Sequence, residues 1–269
     1  MRYSALVADV DGTLVGEDKI VPPGVVEAVR AARGRGVRVC LATGRMWDAT
    51  RPYVETTGAD PPVILYNGAV VYDFVADATL WARRLPLEAV SRVLPVLRRF
   101  RGTTPLVFVH GRVYAEHSTP YVKLYERRDR VRVEIVPAFE QVLDEAAVKL
   151  LIIGGHDDLV EVGRDVAEAG GASVSQVFSQ ADYLELLPAG ISKGVALPVL
   201  ARALGVPLGR VVAVGDNHND LTMLEAAGLG VAVEGAPPEV LAAARATCPG
   251  PEREGVRVVL ERYFSEGRP

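Results

Sequence analysis

Asp9-Val10-Asp11-Gly12-Thr13-Leu14 sets two carboxylates side by side, directly after an apolar run that begins at Tyr3. If that run is a parallel strand, its C-terminal end lies at the crevice where such sheets bind ligands. The chain must leave the strand at Asp11 and Gly12, and glycine suits the turn. A second acidic cluster, Gly215-Asp216-Asn217-His218-Asn219-Asp220, follows the apolar Val211-Val212-Ala213-Val214 and opens a helix. Thr43-Gly44-Arg45 ends a third apolar run, and Ser192-Lys193-Gly194 opens another helix. A hydroxyl, a lysine and helix N-terminal amides make an anion site, so the chemistry on offer is a bound anion set against carboxylates.

Each piece has a plainer meaning. Asp-Gly pairs form turns, surface Lys and turn Gly are common, and Asn219 or Asp220 could do no more than cap a helix. Asp216, at a strand end ahead of the cap, does not fit that account. A calcium loop is excluded, because it needs glycine sixth and glutamate twelfth, whereas Gly12 is fourth and Ile20 twelfth. Gly34-Arg35-Gly36 lacks the third glycine of a dinucleotide fingerprint, and Gly190 to Gly194 lacks the phosphate-loop spacing.

The elements that must position these residues are legible as hydrophobic pattern. Runs at Tyr3 to Val10, Val37 to Ala42, Pro62 to Tyr66 and Arg210 to Gly215 lack the alternation of half-exposed strands and read as buried parallel strands. Val25, Val29 and Ala32 share one helical face between the first two, completing a βαβ unit. After Gly68 the pattern becomes antiparallel in type, with strands and helices mixed through about residue 183, and the parallel pattern then resumes at Val211. The expected fold is α/β: a Rossmann-like three-layer core with a mostly parallel sheet, from residues 1–83 and 184–269, interrupted by an α+β insertion over 84–183. Pro198, a few residues into the helix that carries Lys193, is expected to kink or restart it.

The 269 residues, 49% hydrophobic and 24% charged, have the composition of an ordinary globular protein. The formal charge of −4 comes from 34 acidic and 30 basic residues, the latter scattered apart from short runs such as Arg127, Arg128, Arg130 and Arg132, so nucleic acid is not the expected partner. Cys40 and Cys248 stand too far apart for a disulfide framework or a zinc motif, and no apolar run has export-signal or membrane-spanning character. The expectation is a cytoplasmic protein without a membrane partner; oligomeric state is not readable.

The ordered set Asp9-x-Asp11-Gly12-Thr13, Thr43-Gly44-Arg45, Lys193 and Gly215-Asp216-x-x-Asn219-Asp220 resembles the four motifs of the haloacid dehalogenase superfamily. The insertion between the second and third motifs, Asn67-Gly68-Ala69 before it and Glu185-Leu186-x-Pro188-x-Gly190-Ile191-Ser192-Lys193-Gly194 after it resemble the Cof-type subfamily with an α/β (type IIB) cap. The similarity spans nearly the whole chain. It implies that Asp9 attacks phosphorus to give an aspartyl phosphate, and that Asp11 protonates the leaving oxygen and then activates water, roles that carboxylates can fill. It also implies magnesium on Asp9, the Asp11 carbonyl and Asp216, with Asp220 in support. Thr43 and Lys193 would hold the transferring phosphoryl oxygens, and Gly44, Arg45, Asn67 and Asn219 would complete phosphate and substrate binding. The expected partner is a small phosphorylated metabolite, a sugar phosphate or a cofactor phosphate. His110, His117, Lys123 and Arg127 are candidates in the cap.

Two rivals remain on sequence. A phosphomutase of the same superfamily would pass the phosphate to a second hydroxyl, and a non-catalytic sensor would bind phosphorylated metabolites without needing Asp9 and Asp11 together. The chain departs from the subfamily pattern at Cys248-Pro249-Gly250-Pro251-Glu252-Arg253-Glu254-Gly255 and at Glu234-Gly235-Ala236.

Overall fold

The structure, a computed structural model, describes residues 2–143 and 147–265. In chain order its elements are β1 (Ala5–Ala8), α1 (Pro23–Gly34), β2 (Arg38–Leu41), α2 (Trp47–Thr57), β3 (Val63–Leu65), β4 (Val70–Asp73), β5 (Ala78–Ala82), α3 (Leu87–Leu97), β6 (Thr104–Val109), β7 (Arg112–Ala115), α4 (Pro120–Asp129) and β8 (Val133–Ile135). There follow β9 (Ala147–Ile153), α5 (His156–Gly170), β10 (Val174–Gln180), β11 (Tyr183–Pro188), α6 (Lys193–Ala203), β12 (Val211–Gly215), α7 (Leu221–Ala226), β13 (Leu229–Val233), α8 (Pro238–Ala243), β14 (Ala246–Cys248) and α9 (Gly255–Phe264). The chain divides into two compact units, one of Met1–Gly44, Thr50–Ala82 and Ser192–Pro269, the other of Arg45–Ala49 and Arg83–Ile191.

The first unit is built on a five-stranded sheet in the order β14-β13-β12-β1-β2, every pair parallel. Continuous apolar sequence explains the two central strands, since every residue of β1 and β12 is buried. Helix α1 starts on prolines whose fixed φ suits a first turn and buries Val25, Val29 and Ala32, the face anticipated from spacing. Each valine so removed from water contributes roughly 1.5–3 kcal/mol before chain entropy is counted.

Three expectations are corrected here. The run Pro62 to Tyr66 does form a strand, but β3 pairs antiparallel with β4 in a separate three-stranded sheet with β5, and meets the parallel sheet through one bridge, Ala42 to Ile64. A short buried apolar run looks the same in either kind of sheet, so spacing could not tell them apart. Pro198 does not restart α6, which runs unbroken from Lys193 to Ala203, its flanking residues Ala196, Leu197, Leu200 and Ala201 buried in the core. The insertion continues past residue 183, because β11 pairs with β9 and β10 and belongs to the second unit, which ends at Ile191.

The second unit is a six-stranded sheet in the order β10-β11-β9-β6-β7-β8, antiparallel except for the β7–β8 pair. Helices α3 and α5 lay Val90, Val93, Leu94, Leu97, Leu159 and Val162 against its alternate inward residues, among them Val107, Val109, Leu150 and Ile152. No helix among the described residues is long and apolar enough to cross a membrane.

Candidate active site

Strand pairing brings the sequence motifs of the first unit to one end of its sheet. The Asp9 amide donates to the Val214 carbonyl at 2.9 Å, and the Ala42 amide donates to the Ala8 carbonyl at 2.9 Å. Asp9, Thr43 and Asp216 therefore leave three neighbouring strands at their carboxyl ends, where parallel sheets bind ligands. Asp9 and Thr43 are buried. Gly12 sits at φ 83°, and a Cβ there would collide with the Asp216 carboxylate, so the loop after β1 approaches that closely only with glycine. Thr13 Oγ1 donates to Asp216 Oδ1 at 2.7 Å.

Lys193 opens α6, whose Ser192 side chain caps the Val195 amide, and its side chain is 0% exposed. Its Nζ donates to Asp9 Oδ1 at 2.6 Å and to Asp220 Oδ1 at 2.7 Å. Asp220 Oδ2 in turn accepts from the Asp216 and Asn217 amides at 3.0 and 3.2 Å, so the residue closes a capping box over the short 3-10 turn His218–Asp220 as well as holding the lysine. Burial disfavours the Lys193 charge, but Asp220 and Asp9 outweigh it and raise its pKa, keeping the ammonium. Burial pushes the Asp9 carboxyl well above its usual range, against the pull of Lys193 and with Asp220, Asp216 and Asp11 adding to the rise. Asp216 is pushed up to about 6, by burial first and then by Asp220.

One oxygen from each of Asp9, Asp216 and Asp220 lies within 4.8 Å of the others. Among the described residues Lys193 is the cation paired with Asp9 and Asp220, so three carboxylates gather round one ammonium. Asn219 Oδ1 is also buried without a hydrogen-bond partner. An excess of close carboxylates suits a hard cation with oxygen ligands, and the residues present fit one.

The other sequence candidates fall in several places. Tyr66, Asn67 and Gly68 all have positive φ, at 50°, 53° and 100°, a strained run of the kind that persists where the surroundings impose it. Asn67 is fixed there by its amide on the Thr43 carbonyl at 3.0 Å and by Asn219 Nδ2 donating to its Oδ1 at 2.9 Å. Gly44 leaves room for that side chain, since a Cβ would lie 2.9 Å from Asn67 Nδ2. Arg45 groups with the second unit, where its Nη1 donates to Asp129 Oδ1 at 3.0 Å. Asp11 stands outside the carboxylate group, its Oδ1 accepting from Lys19 Nζ at 2.6 Å.

Sequence reasoning passed over Thr13 and Lys19, although Thr13 lay inside a quoted motif. Nothing in spacing marks Lys19. In the second unit it named His110, His117, Lys123 and Arg127, whereas the buried charges there include Lys149 and Glu185, paired at 3.1 Å with Ser179 Oγ donating to the glutamate. Their signal was faint, a single charge in each of two apolar strands.

Residues 6–260 match the family model described as haloacid dehalogenase-like hydrolase. The chain belongs to the haloacid dehalogenase-like hydrolase family. Among relatives of this hydrolase, pyridoxal phosphate phosphatase YbhA of Escherichia coli (strain K12) is 32% identical, over 91% of this chain and 92% of that one. The 5-amino-6-(5-phospho-D-ribitylamino)uracil phosphatase YitU of Bacillus subtilis (strain 168) is 27% identical over 97% of each. The solved structure of the subclass IIB sugar phosphatase BT4131 superposes with a TM-score of 0.83 at 22% identity, covering 97% of this chain and 98% of that one. The haloacid dehalogenase fold with an inserted cap of the IIB kind is thus the fold of this hydrolase.

Proposed function

We propose that this chain is a magnesium-dependent phosphatase of small phosphorylated metabolites that works through a phosphate ester on Asp9. The observation that carries the reading is Asp9 itself, a buried carboxylate at a strand end whose Oδ1 is gripped by the buried Lys193 ammonium. An Asp9 oxygen attacks phosphorus and the bond from phosphorus to the leaving oxygen breaks, while Asp11 gives that oxygen a proton. Water then attacks the aspartyl phosphate, Asp11 takes back a proton, and phosphate leaves with Asp9 restored. Thr43 and Lys193 hold the phosphoryl oxygens, so a preformed site meets the charge as it moves. Asp220 acts by holding Lys193 in line. Gly44 and the linked Asn67 and Asn219 shape the phosphate side of the site. Asp9, Asp216 and the Asp11 carbonyl would hold magnesium, which supplies charge neutralisation between the anionic substrate and the carboxylates.

The test is phosphate release from a panel of sugar phosphates, cofactor phosphates and p-nitrophenyl phosphate, with magnesium or with chelator. Pyridoxal phosphate and 5-amino-6-(5-phospho-D-ribitylamino)uracil lead the panel, being named for two relatives. Release that needs magnesium is the expected result. No release from folded chain across the panel contradicts it, and turnover only with a bisphosphate activator would indicate a mutase.

Magnesium binding should depend on pH in a definite direction. Asp216 has a folded pKa of about 6 against an ordinary 3.8, so its neutral form favours the folded metal-free chain. That contribution is complete below the ordinary value and is lost as pH rises through about 6, while magnesium requires the ionised form. Thermal melts should therefore show little stabilisation by magnesium near pH 5 and a clear one near pH 7.5. Equal stabilisation at both would remove Asp216 from the metal site.

A further inference from the structure

The loop between β1 and α1 carries a charged contact outside the carboxylate group. Lys19 Nζ lies 2.6 Å from Asp11 Oδ1, with the two side chains 29% and 26% exposed. The loop backbone is closely tied. The Gly12 amide donates to the Val15 carbonyl at 2.9 Å, the Lys19 amide to the Gly16 carbonyl at 3.2 Å, and the Ile20 amide to Asp18 Oδ1 at 3.0 Å. Lys19 has φ 58°, a left-handed conformation that residues other than glycine adopt uncommonly. The turn so formed brings its side chain back onto Asp11, where a loop lysine would ordinarily extend into water.

A partly exposed ion pair adds little to folding stability, because water screens it and two long side chains lose freedom to make it. Its effect is on orientation. Proton transfer needs the donor oxygen within hydrogen-bond reach of the acceptor, and Asp11 stands at a turn, beyond the strand that would otherwise aim it. We infer that Lys19 is a positioning residue for the leaving-group step: by holding Asp11 Oδ1 its ammonium fixes the rotamer that aims the other oxygen, Oδ2, at the departing oxygen, and Oδ2 carries the proton that is delivered. The inference rests on the role given to Asp11 above.

A leaving group that needs no proton separates this role from a structural one. Single-turnover phosphoryl transfer to the protein is measured with glycerol phosphate, whose alkoxide must be protonated, and with p-nitrophenyl phosphate, whose phenolate departs unaided. Lys19→Asn removes the ammonium while keeping a residue type at home in left-handed backbone. It is expected to slow transfer from glycerol phosphate on the order of ten- to a hundredfold and from p-nitrophenyl phosphate by less than about threefold, as partial loss of general acid catalysis requires. Lys19→Arg should recover most of the rate, and melting temperatures should match the parent. Equal slowing of both substrates, or of neither, overturns the inference. Asp11→Asn, run in parallel, identifies the source of a failure. If it too slows both alike, the reading of Asp11 as the acid falls and Lys19 with it; if it discriminates where Lys19→Asn does not, Lys19 alone is wrong.

Discussion

Asp9→Asn is expected to lower phosphate release by on the order of a thousandfold or more, as loss of a covalent nucleophile does. The same change should leave the metal-free chain at least as stable as its parent. Asp9 is buried beside Asp216 and Asp220, its carboxyl held well above the usual range, so at neutral pH its charge is a burden on the fold. Asparagine keeps an oxygen for the Lys193 ammonium and removes that charge. Activity and stability moving in opposite directions is the mark of a site kept for function at the expense of folding. Phosphate release and a thermal melt of the two chains without magnesium check both halves. A folded variant with the parent's activity would remove Asp9 from the reaction, and a marked fall in melting temperature would show that its charge is needed by the fold.

Lys193→Met should damage both. The ammonium is fully buried between Asp9 and Asp220, and methionine fills similar space without the charge. Removing one partner of a buried ion pair costs about 3–5 kcal/mol, because the charges left behind stay out of water. Loss of the donor proposed for the phosphoryl oxygens should also slow turnover on the order of a hundred- to a thousandfold. The double variant Lys193→Met with Asp220→Asn relieves one of the two stranded charges and should regain part of the stability with none of the activity. Urea unfolding and phosphate release measure the two effects. A single variant as stable as the parent would mean that the ammonium does not balance these carboxylates.

The strands that carry the site were legible because they are buried on both faces. Val211 to Val214 and Ala5 to Ala8 read as continuous apolar runs, and the acidic residues that end them stand at neighbouring strand ends. Strands β13 and β14 were not legible. The first, Leu229-Gly230-Val231-Ala232-Val233, dilutes its β-branched residues with Gly and Ala, and the second has three residues, too short for any period. Helix α2 was hidden by Pro52 within it and by a polar sequence with no clear apolar stripe.

Within the site, residue positions were easier to read than partnerships. Asp9, Asp216 and Lys193 could be singled out by where they follow or open an element. That Thr13 would bond Asp216, 203 residues away, or that Asn219 would bond Asn67, depends on tertiary placement with no local signature. Arg45 shows the reverse, a residue adjoining Thr43 and Gly44 in sequence that groups with the other unit and pairs with Asp129.

A phosphate bonded to Asp9 can be observed directly. The chain is mixed with a labelled phosphate monoester and magnesium, quenched in acid within a turnover, and its peptides are mapped for covalent phosphate. Label is expected on the peptide containing Asp9, lost when the quench is delayed until substrate is exhausted and absent in Asp9→Asn. Rapid phosphate release without any phosphorylated peptide, or label on a different residue, would contradict it.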